Sequence, residues 1–466
     1  MVLLILAGIT ISLVFSDNGI ITKAREAAEK TNQSIINEQA QMNELVDYME
    51  NMLNGISGSS TPEEPTLPSD GTYSELKGVN TPKLTGEMTP IKWDNTANDW
   101  VETTGNDPEW YDYSAKEWAN VKVEVDGVES YFVWIPRYAY RITNGYHTST
   151  AGTIEVEFMK GISNEGATGK TIVEYNSSTT LNYTQFPNGY VIHPAFNYGQ
   201  EVSGIWVAKF EASPVGATTN VTNSQYDGTD KKLQVVPGVS SWRSITISNA
   251  YDVCKAYNEG LNSHLMKNDE WGAVAYLSKS EYGKENEEVW INNSINYITG
   301  SAGSSASAEQ NIGTTNDYTS TQGVKASTTG NVYGIYDMSG GAYEYVAAYV
   351  NNNNYVLRTY GLSLIEGESY TKNVYEVGNI ESDINNYMAN SMVYGDATYE
   401  TSIYHSDNGD SESWYGDKAY YPGFTGPFWG RGGHVQEKNL AGIFNFDTSF
   451  SSGTPMPLCG FRVVLL

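Results

Sequence analysis

The chain has 466 residues, 39% of them hydrophobic, with a mean hydropathy of −0.42; that supplies a core and excludes a multi-span membrane protein. Lysine and arginine total 27 against 55 acids, a net charge of −28 that repels nucleic-acid backbones and excludes nucleic acid as a partner class. Two cysteines, Cys254 and Cys459, are too few for a disulfide scaffold; one long-range bridge and two buried thiols both remain open.

Residues 2–15 (VLLILAGITISLVF) are almost wholly apolar, and as a helix they would span about 21 Å, short of a bilayer core of about 30 Å. A polar break, SDNG, follows at 16–19. Beyond it, Ile35, Met42, Leu45, Met49, Met52 and Leu53 recur at helical spacing, which predicts an amphipathic helix ending at Asn54-Gly55. The organisation expected is a helix over 1–54, a Ser/Pro/Gly/acid linker over 55–73, a β-rich lead-in over 74–129 and a folded domain over 130–466.

In the folded part, Val121, Val123 and Val125 alternate, and so do Tyr131, Val133 and Ile135; Asp126-Gly127 between them predicts a hairpin turn. GIWVAKFEAS (204–213) and the closing CGFRVVLL read as further strands. Two helices are expected. One is SNAYDVCKAYNEG, capped by Ser248, with Val253, Cys254 and Tyr257 inward and Gly260 as the stop. The other is NDEWGAVAYLSKSEYG, capped by Asn268 or Asp269, with Trp271, Val274, Ala275 and Leu277 packing. Asn/Gly/Ser/Thr-rich stretches over 294–330 and 350–420 read as long loops, and 35 tyrosines with abundant Asn, Ser and Gly suit either a binding surface or an irregular Tyr-rich fold.

The SDNGIITKA stretch and the apolar-then-amphipathic helix around it resemble the N-terminus of type IV pilin-like proteins of Firmicutes. The basic leader, the longer apolar run and the glutamate near the mature start of many pilins are not seen. Further on, WIPRYAYRI, GIWVAKFEAS, SWRSITISNAYDVC, HLMKNDEWGAVAYL, GNVYGIYDMSGGAYEYV, RGG, AGIF and GFRVV follow one another. That order resembles the formylglycine-generating-enzyme-like (sulfatase-modifying-factor) domain, a variant of the C-type lectin fold. The resemblance implies an α+β class, with long irregular loops on a lectin-type scaffold.

The enzymes of that superfamily hold copper with a cysteine pair between the RGG and GFR motifs; this interval holds Cys459 alone, so no oxidase activity and no catalytic residue are expected. Asp337, Arg431 and Arg462 are expected to be structural, with the arginines as partners for Asp337 and Glu344. Glu344, in GGAYEY, is a candidate calcium ligand; the alternative is a buried carboxylate bound to backbone amides, and no other cofactor is implied. His264 reads as a satisfied structural histidine rather than a ligand.

The final stretch, 425–466, resembles the variable region of diversity-generating-retroelement proteins, which display hypervariable side chains on a fixed frame. Trp429, His434, Val435, Glu437, Asn439, Asn445, Asp447, Thr448 and Phe450 are the candidate ligand-binding residues, with Val435 and Phe450 equally readable as core. The expected function is a cell-surface adhesin or receptor-type module for a protein or glycan ligand, held at the membrane by the N-terminal apolar helix. The alternative is a structural subunit of a pilus-like, self-assembling filament.

Overall fold

The structure, a computed structural model, describes residues 71–174, 189–307, 316–380, 382–404, 412–423, 426–447 and 452–466. The chain divides into two units, Met1–Thr66 and Leu67–Leu466; everything described lies in the second. The helix expected over 1–54, nearly all of the 55–73 linker, Thr448 and Phe450 lie outside the described residues. Among the described residues no helix is long and apolar enough to cross a membrane.

The second unit is α+β. Its largest sheet has seven strands, ordered His264–Leu265, Val463–Leu465, Gly204–Ala208, Val128–Pro136, Asn120–Val125, Met88–Asp94 and Asp99–Glu102, with antiparallel neighbours throughout. Asp126 and Gly127 close the expected hairpin at φ 53° and 75°, and Val125 faces Val128 across it. Positive φ at both turn residues is what matches the right-handed twist of the flanking strands. Phe132 to Pro136 are buried without a break, so this strand is covered on both faces. Three strands of the lead-in are thus built into the same sheet as the domain that follows, within one compact unit.

A second sheet runs Asn373–Tyr375, Tyr343–Val350, Phe428–Arg431, Phe446–Asp447, Ala419–Tyr420, and Cys459–Phe461 pairs parallel to residues 343–345. Chain-terminal residues therefore serve both sheets: Cys459–Phe461 in one and Val463–Leu465 in the other. Arg462, between them, is wholly buried.

Both expected long helices form, with shifted starts. The first spans Ile247–Tyr257, and its cap is Thr246, whose side chain accepts from the Asn249 amide, rather than Ser248. Ser248 instead donates to Ser363 Oγ at 3.0 Å, and the stop is Asn258, extended at φ −158°, rather than Gly260. The second spans Asn268–Lys279, with Lys267 as its cap rather than Asn268 or Asp269. There Glu270 accepts from the Lys267 amide at 2.8 Å, the backward arm of a capping box. All twelve of its residues are buried, the pattern of a helix enclosed by its own protein. Gly272 is obligatory: a Cβ there would stand 1.9 Å from the Gly395 carbonyl oxygen.

Candidate functional site

Beneath the C-terminal stretch lies a buried ionic frame. Arg462 donates from Nε to Glu344 Oε2 at 3.0 Å and from Nη2 to Glu344 Oε1 at 2.5 Å. Its Nη1 donates to the Ala208 carbonyl at 2.8 Å, and Nη2 also to that of Tyr336 at 2.9 Å. Asp337, left-handed at φ 65°, accepts from Asn292 Nδ2 at 2.8 Å and from the Gly300 amide at 3.0 Å. Glu211, unmarked in the sequence, completes the group by accepting from the Ala342 amide at 2.8 Å. Burial, then the charges of Asp337 and Glu344, push the Glu211 carboxyl well above its ordinary value, so it keeps its proton to a higher pH in the fold than in the unfolded chain.

Of the two expected arginine partners, only Arg462 pairs with a carboxylate of this group. Arg431 turns away, donating to Asn268 Oδ1 at 3.2 Å and to the carbonyls of Asp396 and Ala397 at 3.1 and 3.2 Å. Burial lowers it to about 10. Both Glu344 oxygens accept from Arg462, the arginine pairing expected of this carboxylate. Among the described residues no group of three or more His, Cys, Asp or Glu side chains could hold a metal ion. His264 is satisfied, with Nε2 2.9 Å from Glu270 Oε1 and Nδ1 2.7 Å from the Asn262 carbonyl. Cys254 and Cys459 are free and buried, and burial raises both thiols, that of Cys459 to about 12.

Above the frame, four candidate binding residues converge with two that the sequence did not mark, Tyr343 and Lys418. Asp447 Oδ2 accepts from the Tyr343 hydroxyl and the Lys418 ammonium, each at 2.6 Å. Lys418 reaches Glu437 Oε1 at 3.4 Å, and Asn445 Nδ2 reaches Glu437 Oε2 at 3.4 Å and the Leu440 carbonyl at 2.7 Å. The His434 ring lies 5.0 Å from that of Tyr343. Burial lowers His434 to about 4, so it is neutral at physiological pH. Burial works against the Lys418 charge, but Asp447 and Glu437 outweigh it and raise the group.

Gly432 and Gly433, at φ 82° and 71°, swing the chain out of the Phe428–Arg431 strand; a Cβ on Gly433 would meet Ala441 Cα at 2.6 Å. The excursion that results is held at both ends, with the Val435 amide donating to the Gly341 carbonyl at 3.0 Å and the Leu440 carbonyl accepting from the Lys418 amide at 2.9 Å. Gln436, Lys438, Asn439 and Leu440 face solvent on it, and Glu437 is half-buried.

Most of the candidates are interior, His434 among them. Trp429 is fully buried, its ring 5.0 Å from Tyr375, 4.7 Å from Tyr421 and 5.7 Å from Phe446. Val435 packs with Tyr297 and Ala342. Asn445 and Asp447 are buried and bonded within the cluster. For Trp429 the reason is that its strand, Phe428–Arg431, is enclosed on both faces, so alternation along it does not bring side chains to the surface. As placed, Trp429, Val435, Asn445 and Asp447 support the turn from inside.

No protein-family model matches the chain, and no curated protein matches it. Among solved structures, a chain named Treponema denticola variable protein 1 is matched at 10% identity and a TM-score of 0.28, over 74% of this chain and 98% of that one. At that score no fold assignment rests on the likeness.

Proposed function

We propose that the protein is a non-catalytic, cell-surface ligand-binding module in which the excursion over 434–440 is the contact surface. Its Leu67–Leu466 unit would be a formylglycine-generating-enzyme-like C-type lectin domain, and its N-terminal segment a pilin-like membrane attachment. One observation supports the reading above the rest. Gln436, Lys438, Asn439 and Leu440 stand exposed over a polar cluster whose members are bonded to one another, with a buried ion pair beneath. Such a base fixes the backbone while leaving the side chains on top free to vary. The contact set is then Glu437 and Asn439 from the sequence reading, joined by Gln436, Lys438 and Leu440, while His434, 5% exposed, lies with the supporting residues.

The full chain applied to arrays of glycans and extracellular proteins tests this. The expected result is at least one ligand whose binding falls tenfold or more when Gln436, Lys438 and Asn439 are replaced together by alanine. Binding unchanged by that replacement contradicts the proposal.

A further inference from the structure

Away from the C-terminal excursion, a cavity of about 480 Å³ opens beside the four-stranded sheet that contains Tyr138–Asn144 and Gly189–Ile192. The size is that of a small-molecule site. Its floor is Arg137, 1% exposed. One terminal nitrogen donates to the Ser163 carbonyl and the other to Glu201 Oε2 at 2.7 Å, while Nε has no hydrogen-bond partner. The guanidinium is enclosed, and it acts at the cavity by holding the Glu201 carboxylate in place.

The walls divide by chemistry. Glu201 is a bridging carboxylate, taking Arg137 on one oxygen and Asn197 Nδ2 at 3.1 Å on the other. Asn164 and Asn197 are exposed at the rim, and each amide both donates and accepts. Opposite in character are Ile172, Val173 and Ile192, half-buried, which offer an aliphatic wall. His193, also in the lining, is lowered to about 3 by burial and carries no charge at neutral pH. The one cation in the lining is paired with Glu201, and a second carboxylate, Glu174, stands exposed at the edge, so an anionic ligand is disfavoured. Mixed donors and acceptors facing an aliphatic wall match a molecule with hydroxyls on its edge and C–H groups on its face.

We infer that this cavity binds an uncharged polyhydroxyl ligand, a sugar residue, through Asn164, Asn197 and the Glu201 carboxylate that Arg137 holds. The site is separate from the 434–440 excursion and does not depend on that reading.

The test is ligand-observed NMR on the full chain with four probes, glucose, galactose, mannose and N-acetylglucosamine. Tetramethylammonium and inorganic phosphate serve as charged comparisons. At least one sugar is expected to bind. Asn164→Ala and Asn197→Ala, both at exposed rim positions, are each expected to weaken it tenfold or more, while Lys255→Ala, exposed on the Ile247–Tyr257 helix, leaves it unchanged. The inference is overturned if no sugar binds, if binding survives both rim replacements, or if only a charged probe binds. Glu201→Gln is a further variant; unchanged sugar affinity in a folded Glu201→Gln protein would remove the bridging carboxylate from the site.

Discussion

Glu211, Asp337 and Glu344 bring three carboxyls to a single guanidinium, that of Arg462, in a place closed to water. Taking away Arg462 leaves Glu344 buried without its counter-charge, and Arg462→Met should cost about 3–5 kcal/mol by denaturant unfolding. Glu211 answers differently. Its carboxyl holds a proton in the fold that the unfolded chain releases above about 4.5, so it subtracts stability as pH rises through that value and beyond. Glu211→Gln keeps the neutral form permanently. Its advantage over the parent should be small below pH 4.5 and should grow with pH in thermal melts; an advantage that shrinks as pH rises would mean that Glu211 is ionised in the fold. Neither Glu211 nor the role of Lys418 was legible in the sequence. Glu211 lies in a stretch that reads as a strand and Lys418 in one that reads as a loop, and their side chains bond to the Ala342 amide and to Asp447, 131 and 29 positions away. Nothing local marks them.

At the scale of elements, the sequence was most informative where local chemistry decides the backbone. Asp126-Gly127 could be read as a turn because both residues tolerate positive φ, and the two long helices could be read from their apolar spacing. Helix starts were less legible, since Thr246, Ser248, Asn268 and Asp269 are all competent caps and only packing selects among them. Thr246→Ala should therefore destabilise by about 1 kcal/mol, and Ser248→Ala should not act through the helix cap. Gly272 makes a stronger prediction. Its helix lies against the Gly395 backbone, where the added methyl of Gly272→Ala has only main chain to displace. A loss of about 1–3 kcal/mol or more is expected, although alanine is the better helix former; a stabilised variant would show that the helix stands further from residue 395.

Across the whole molecule, the α+β class was readable from strand and helix patterns, but the division into supporting and displayed residues was not. Trp429, Asn445 and Asp447 are polar or amphipathic side chains near an exposed excursion, and only the packing and hydrogen bonds around them determine that they point inward. Asn439 and Glu437 were placed by the same reasoning and do lie at or near the surface, because Gly432 and Gly433 carry the chain outward there. The account as a whole rests on a firm base beneath a tolerant surface. The most direct measurement is the thermal unfolding and near-UV circular dichroism of a variant with Gln436, Lys438, Asn439 and Leu440 all replaced by serine. Stability within about 1 kcal/mol of the parent and an unchanged aromatic spectrum are predicted. A loss of several kcal/mol, or an altered spectrum, would contradict the separation of display from support.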